Sequence, residues 1–341
     1  MKIGLTLSGL LLGGAAAFIG HSLSQPVNAL PGGDGSGGTA SSGPDVIVGA
    51  IPNYSKYGTV GTVSAYSFGS TSCNIGTVQL DWVAGTNQHP VIPQNLYRIK
   101  SGRIEQIGMS WCKHGFCALQ QTLCGTCQPA GAGCPSLLGV GCSDPYDSGL
   151  NGDQTGLGPR SFINASSGFF PYPYTPPTGT PGALNRRLQV KLDDLNPALN
   201  AGALYYAECQ YIHPDDAAAN NDDNNASYRK LTVGTLSGGS YNLTLTGGTT
   251  QMKPALFSWK DNDPAVQVLP FDIPNDGRYF VGYKVTDNGN GTWHYEIAIQ
   301  NLNSDRSGYS LSLPIPSGVN VTNIGFKDID YHSGEPYTNV D

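Results

Sequence analysis

Polar and aromatic side chains alternate between residues 89 and 114, where the sequence otherwise has the texture of β-strands. Aromatic faces stack on sugar rings, while amide and guanidinium groups bind hydroxyls and carboxylates. A sheet surface that carries both kinds of group is suited to carbohydrate, although an ordinary solvated face is the simpler alternative for any single residue. The residues predicted to bind substrate are Gln94, Asn95, Tyr97, Trp111 and Lys113.

A lytic mechanism on an acidic polysaccharide fits this surface. Arg98, Gln94 or Asn95 would neutralise the uronate carboxylate. His114 would then remove the C5 proton, and a tyrosine would protonate the leaving oxygen. The residues predicted to be catalytic are His114, His89, Arg98 and Glu208.

Hydrolysis is the second enzymatic alternative, and it needs two carboxylates across a cleft. One of them would be Glu208, and the candidates for the other are Asp144, Asp215 and Glu105. A serine hydrolase is disfavoured, because the sequence contains no Gly-x-Ser-x-Gly motif.

Six of the eight cysteines lie within one 31-residue window. An even number of cysteines in an oxidising compartment favours disulfides, and four bridges are expected. The expected half-cystines are Cys73, Cys112, Cys117, Cys124, Cys127, Cys134, Cys142 and Cys209.

Two other uses of these thiols remain open. A tetrahedral zinc site could be formed by Cys124, Cys127, Cys134 and Cys142, since a Cys-x-x-Cys pair can present two thiolates to one ion. The same Cys124-Gly-Thr-Cys127 motif resembles a thiol-disulfide exchange site, but the strand-then-helix context of such sites is absent.

Two further metal sites are conceivable. Zinc or copper could be bound by His89, His114 and His213 with a carboxylate from Glu208 or Asp215, although no H-x-H or H-E-x-x-H spacing is present. Calcium is the more favoured ion, at the acidic loop formed by Asp215, Asp216, Asp222 and Asp223. A solvated acidic loop is the alternative, because no EF-hand pattern occurs there.

The N-terminus predicts secretion. Lys2 precedes an uncharged apolar run, and small residues before position 30 indicate cleavage after Ala29. Removing residues 1–29 leaves 17 basic against 25 acidic residues, a net charge of −8. That sign argues against nucleic acid or an anionic membrane surface as a partner, and no other stretch is long and apolar enough to span a bilayer.

The composition predicts an all-β protein. The 46 glycines and 24 prolines, with only 13% charged residues, indicate many turns between short strands. We expect a flexible leader over 30–43, a cysteine-rich β domain over 44–230 and a β-sandwich-like module over 231–341. Within the first domain, the stretch 125–180 shows little apolar periodicity and is expected to be a long loop pinned by disulfides.

Four stretches of the chain, 44–49, 87–98, 111–116 and 287–306, resemble segments of a group of secreted bacterial proteins of uncharacterised function. The resemblance covers most of the mature chain and implies no activity and no catalytic residues. Members of that group continue past the position that corresponds to Asp341. The resemblance therefore implies that this chain is an incomplete form that lacks a last strand or more.

Two functions from different classes follow. The first is a secreted protein that cleaves or binds an extracellular glycan through the surface around His114. The second is a non-catalytic cell-surface or adhesion protein whose polar and aromatic strands form a binding face. An enzyme needs at least two titratable groups that meet at a common point. Whether His89, His114 and Glu208 meet is the observation that separates these alternatives.

Overall fold

The computed structural model describes residues 4–6, 42–174 and 182–335. Strands make up 41% of the described residues and helices 9%, which confirms the all-β class. Apart from residues 4–6 and 42–43, the predicted signal peptide and leader lie outside the described residues. In the part of the chain that is described, no helix has the length and apolarity needed to cross a bilayer.

The strands follow one another closely, as the frequent glycines and prolines predict. They are β1 (Gly4–Thr6), β2 (Val46–Ala50), β3 (Tyr54–Val60), β4 (Val63–Phe68), β5 (Ser70–Asn74), β6 (Leu80–Asp81), β7 (Val91–Ile92), β8 (Gln94–Lys100), β9 (Arg103–Met109), β10 (Cys112–His114), β11 (Leu137–Leu138), β12 (Ser143–Tyr146), β13 (Leu157–Gly158), β14 (Leu188–Lys191), β15 (Leu204–Gln210), β16 (Ala226–Ser237), β17 (Ser240–Thr250), β18 (Gln267–Asp272), β19 (Arg278–Asp287), β20 (Trp293–Asn301) and β21 (Ser310–Ser312). The short α-helices are α1 (Ser148–Asn151), α2 (Leu192–Leu195), α3 (Pro214–Ala218) and α4 (Phe257–Asn262).

An antiparallel sheet of eight strands forms the centre of the molecule, in the order β17-β16-β15-β8-β9-β14-β4-β3. Side chains of β15 alternate between its two faces, as a strand requires. Tyr205, Ala207 and Cys209 belong to one apolar core, whereas Tyr206 belongs to another. The central sheet is therefore covered on both sides, in a layered and sandwich-like arrangement.

The first core lies between the central sheet and a three-stranded sheet in the order β12-β5-β2. Val46 and Val48 of β2 and Tyr146 of β12 share this core with Leu96 of β8. Burying apolar surface of this kind stabilises the folded chain by about 25 cal/mol per Å². The chain that follows β12, an edge strand of this layer, continues toward the loops that carry the candidate site.

The second core covers the opposite face of the central sheet and contains Tyr206 and Tyr228. Trp259 of α4 and Phe280 of β19 pack against them, within a layer that includes the three-stranded sheet β18-β19-β20. Residues before and after position 231 therefore share one core. Strand β16 also runs through that position and pairs with β17, so the predicted boundary near 231 does not separate two cores.

Three disulfides join Cys73 to Cys124, Cys117 to Cys134 and Cys127 to Cys142. They restrain the stretch 117–142. This stretch includes only the first part of the loop predicted over 125–180, and the described residues after 142 form β12, α1 and β13. The prediction of zinc at four of these cysteines is wrong, because every one of those thiols is consumed in a disulfide. The exchange-motif alternative is wrong as well, since Cys124 and Cys127 are bonded to different partners.

The fourth predicted disulfide does not form, because Cys112 and Cys209 are free. Cys112 on β10 and Cys209 on β15 belong to different apolar clusters, so their sulfurs do not meet. Both side chains are buried, and burial raises the pKa of the Cys112 thiol to about 12 and that of Cys209 as well. These two cysteines act as small apolar core residues that are protected from oxidation.

Candidate functional site

Two histidines and a lysine line a pocket of about 170 Å³ at one end of the molecule. Lys113 and His114 are consecutive residues of β10, the central strand of a small sheet in the order β13-β10-β7. His89 lies just before β7, and β7 pairs with β10 at His114. The described residues that line the pocket are Gly85, His89, Lys113, His114, Gly115, Phe116, Gly156, Tyr172 and Tyr174.

The two histidines contact each other directly, with 2.9 Å between Nε2 of His89 and Nδ1 of His114. Aromatic rings enclose the pair. Tyr174 stacks on His114 with the ring centroids 4.0 Å apart, and Phe170 presents its edge to His114 at 4.8 Å. Because both histidines are buried, the enclosure disfavours their charged forms.

The hydrogen bonds of the pair determine which nitrogen carries each proton. Nδ1 of His89 lies 3.1 Å from the carbonyl oxygen of Val83, which can only accept, so this nitrogen is protonated. Burial lowers the pKa of His89 to about 4, so the ring is neutral and its Nε2 accepts. Nδ1 of His114 must therefore donate to it. This order leaves Nε2 of His114 as an unprotonated nitrogen.

The unprotonated Nε2 of His114 is the hydrogen-bond acceptor of the site. Nε2 of His114 is buried and has no hydrogen-bond partner among the described residues, and the ring lines the pocket. Burial, and then the charges of His89 and Lys113, lower the pKa of His114 to about 3. The ring is neutral at ordinary pH, so Nε2 is available to accept a proton or a hydrogen bond from a ligand. A buried polar atom without a partner is costly unless something binds to it.

Lys113 supplies positive charge beside this acceptor. Its side chain is buried, and burial lowers the pKa of the ammonium group while the charge of Asp153 raises it. Its Nζ lies 5.7 Å from the centre of the Phe116 ring. No aspartate or glutamate is among the described residues that line the pocket, so its local charge suits an anion.

Two glycines make room for these side chains. A Cβ atom at Gly158 of β13 would lie 2.6 Å from Nε2 of His114, and one at Gly156 would lie 2.1 Å from Nζ of Lys113. Both distances are shorter than van der Waals contact. The backbone before and within β13 can approach the site this closely only because these residues lack side chains.

The buried histidine predicts a dependence of stability on pH. An unfolded histidine takes up a proton near pH 6.5, whereas folded His114 does so only near pH 3. Its contribution to stability is complete above pH 6.5 and is lost as the pH falls. Relative to His114→Asn, the wild type should lose about 1.4 kcal/mol of unfolding free energy per pH unit below about pH 6. Urea denaturation from pH 7 to pH 4 measures this difference, and parallel curves would contradict the assignment.

The structure places Glu208 in a different environment, within a saturated hydrogen-bond network. Its Oε1 accepts from Asn95 at 2.7 Å and from Tyr97 at 3.1 Å. Its Oε2 accepts from the backbone nitrogen of Ala255 at 2.5 Å and from Gln300 at 2.9 Å. This carboxylate connects the central sheet to the layer that contains α4 and β20, and its four contacts are those of a structural residue.

The other predicted site residues also have partners of their own. Arg98 forms ion pairs with Glu105 and Asp194, and both ends of the Gln94 amide bond to the backbone of Phe68. The ring of Trp111 is buried, with the Arg186 guanidinium 5.3 Å from its centre. Of the nine residues predicted to act in catalysis or binding, the pocket brings together His89, Lys113 and His114.

The predicted metal ligands do not converge. Nε2 of His213 bonds to the carbonyl oxygen of Asp81, and its Nδ1 accepts from the backbone of Asp215. Each predicted calcium-binding carboxylate already has a protein partner. The partners are the backbone of Asp81 for Asp215, the backbone of Val46 for Asp216, Asn303 for Asp222 and Arg278 for Asp223. Within the described ranges, no three His, Cys, Asp or Glu residues are grouped so that they could hold a metal ion.

Three aromatic residues of the site were missed by the sequence patterns, which place them in a loop. They are Phe170, Tyr172 and Tyr174, at every second position of one segment. In an extended chain that spacing places side chains on one side. The alternation of aromatic residues with proline in 169–174 was the signal that could have identified them.

Comparison with known proteins finds no matching family model, no similar curated protein and no similar solved structure. The function therefore has to be inferred from the geometry of the pocket.

Proposed function

We propose that this protein is a secreted glycan-binding protein whose pocket holds an acidic sugar, a uronate residue of an extracellular polysaccharide. The observation that carries the proposal is the unpartnered Nε2 of His114, a buried atom of a ring that lines the pocket together with Lys113. A sugar hydroxyl donates a hydrogen bond to this nitrogen, and the sugar carboxylate pairs with the ammonium group of Lys113.

The aromatic walls support a sugar as the ligand. Tyr172 is 42% exposed and Tyr174 lines the same pocket, so a sugar ring that enters the pocket contacts aromatic carbon on its apolar face. The centroids of the two tyrosine rings are 6.1 Å apart. A pocket of about 170 Å³ is small, which suits a single sugar ring and not a long segment of chain.

Secretion is supported by the N-terminal signal pattern and by the three disulfides, which persist in oxidising compartments. The net charge of the chain is negative, so long-range attraction does not favour an acidic ligand. The local charge of Lys113 provides the attraction at short range, since the other described lining residues carry no carboxylate.

Elimination at the same pocket is the second candidate function. The observation that favours it is that a neutral imidazole nitrogen, an ammonium group and tyrosine hydroxyls share one pocket. Such groups could remove the C5 proton, neutralise the carboxylate and protonate the leaving oxygen. A pKa of about 3 makes His114 a weak base, which favours binding over catalysis. Hydrolysis has less support, because none of the described lining residues carries a carboxylate.

Calorimetric titration with galacturonate and with galactose tests the proposal, because the two sugars differ by the carboxylate. We expect tighter binding of galacturonate. Lys113→Met should weaken galacturonate binding about 10- to 100-fold, as expected for the loss of a charge-assisted hydrogen bond, with little effect on galactose.

The matched control is Lys191→Met, because Lys191 is an exposed lysine that pairs with Asp330 away from the pocket. This variant should bind both sugars as the wild type does. Equal affinity of the wild type for the two sugars, or no binding of either, would overturn the proposal. Release of an unsaturated product from polygalacturonate would show that the pocket also catalyses elimination.

A further inference from the structure

A single turn of 3-10 helix, Gln154–Gly156, lies against the pocket. Gly156 lines the pocket, and a Cβ atom there would lie 2.1 Å from Nζ of Lys113. The hydroxyl group of Tyr174, another lining residue, donates to the carbonyl oxygen of Thr155 at 3.4 Å. The turn therefore contacts two of the side chains that the proposed sugar would meet.

The side chain of Arg186 binds the same turn from a neighbouring segment. Its Nη1 donates to the carbonyl oxygen of Gln154 at 2.7 Å. A 3-10 helix rises about 2 Å per residue, so Gln154 and Gly156 are separated by only about 4 Å along the turn. The guanidinium group of Arg186 and the ammonium group of Lys113 therefore approach one turn at positions two residues apart.

Two other contacts place Arg186 beside the pocket. Its guanidinium carbon lies 5.3 Å from the centre of the Trp111 ring, and Trp111 directly precedes β10. Burial raises the pKa of Tyr174 and the charge of Arg186 lowers it, so the guanidinium group lies within electrostatic range of this pocket wall. A second positive charge therefore accompanies that of Lys113 at the edge of the pocket.

One edge of the Arg186 guanidinium group is left without a partner. Nη1 is engaged with Gln154, but Nε is buried without an acceptor among the described residues, and Nη2 makes no hydrogen bond to any of them. The Nε–Nη2 edge is one with which arginine binds both oxygens of a carboxylate. Arg278 uses this edge, because its Nε and Nη2 donate to the two carboxylate oxygens of Asp272 at 2.6 and 3.1 Å. The same edge of Arg186 suits the carboxylate of a ligand.

The backbone at Arg186 is held in an unfavourable conformation. Its φ angle is 63°, in the left-handed region that residues with a Cβ atom rarely adopt. Its carbonyl oxygen accepts from the backbone nitrogen of Trp111 at 2.9 Å, and this contact helps to fix the conformation. Strained residues of this kind cluster at binding sites, where the surrounding structure holds a side chain in one position. The strain is accounted for if the position of the Arg186 side chain serves binding.

We propose that Arg186 binds the carboxylate of a second uronate, linked to the one that Lys113 holds, so that the ligand is an acidic oligosaccharide. This inference rests on the proposed function, because it extends the same site. The pocket holds one sugar ring, so the second uronate lies outside it, against the turn. The carboxylate of the exposed Asp153 accepts from the backbone and the hydroxyl of Thr155, so it does not occupy the free edge of Arg186.

Calorimetric titration with galacturonate and with trigalacturonate tests this proposal. The wild type should bind the trimer about 10- to 100-fold more tightly than the monomer, as expected for a second charge-assisted hydrogen-bonded pair. Arg186→Met should abolish this gain and leave the affinity for galacturonate unchanged. The matched control is Arg103→Met at the start of β9, which removes the same charge from a half-exposed arginine and should keep the full gain.

Arg186→Lys distinguishes the planar edge from the charge alone, and it replaces the methionine variant if that variant does not fold. It should bind galacturonate as the wild type does and lose most of the gain with the trimer, since an ammonium group cannot donate in the same bidentate way. A wild type that binds galacturonate and trigalacturonate equally overturns this inference and leaves the proposed function standing. The absence of binding to either overturns both. Arg186 variants that keep the full gain, or that weaken binding of the monomer equally, also overturn the role of Arg186.

Discussion

Glu208→Ala should destabilise the protein by about 3 kcal/mol or more, because four hydrogen-bond donors lose their acceptor. Asn95, Tyr97 and the backbone of Ala255 are buried, so water cannot readily replace the carboxylate. The effect should appear in urea denaturation as a lower midpoint without a change in slope. The reason is structural, since Glu208 joins the central sheet to the layer of α4 and β20.

Glu296→Ala is the matched control for this change. Glu296 lies on β20 of the same layer, and its partners Arg103 and His294 are largely exposed. Ion pairs of this kind contribute about 0–1 kcal/mol, so the control should remain close to the wild type. A Glu208→Ala variant of wild-type stability that had lost sugar binding would show instead that Glu208 acts in the site.

Two substitutions of His114 should separate its two nitrogens. In His114→Asn, the amide reaches about as far as Nδ1 and can still donate to His89, but the acceptor at the Nε2 position is lost. In His114→Gln, the longer side chain returns an amide oxygen to about the Nε2 position. We expect galacturonate binding to weaken about 10-fold or more in the asparagine variant and only a few-fold in the glutamine variant.

Calorimetric titration of both variants measures this difference. Gly158→Ala is a further control, because its Cβ would lie 2.6 Å from Nε2 of His114 and should obstruct the nitrogen without removing it. Equal binding by the asparagine and glutamine variants would mean that the Nε2 position makes no contact with the sugar. Intact binding in Gly158→Ala would lead to the same conclusion.

Local patterns in the sequence predicted the class of the fold and part of the site. The alternation of apolar and polar residues along strands and the frequent turns depend on residues that are neighbours in sequence. The all-β class could therefore be predicted from the sequence. His114 and Lys113 were found because they are adjacent on one strand. His89 lies beside them because β7 pairs with β10. The many polar residues of this region suggested such a contact, but no sequence motif predicted it.

The errors concern contacts between distant residues. Glu208 was grouped with the site because it is near His213 in sequence and could serve as a carboxylate for hydrolysis. Its carboxylate instead accepts from the backbone of Ala255 in the second core. Cys112 and Cys209 were counted among eight half-cystines because the total is even, but both are free and lie in different apolar clusters. The apparent boundary near residue 231 marked a change of composition within β16, which continues the central sheet.

The most direct test of the site is a ¹⁵N nuclear magnetic resonance measurement of the His114 ring. The account predicts a neutral ring with the proton on Nδ1, and an unprotonated Nε2 whose resonance shifts when galacturonate is added but not when galactose is added at the same concentration. A proton on Nε2 in the free protein, or an Nε2 resonance that galacturonate leaves unchanged at saturation, would contradict the account.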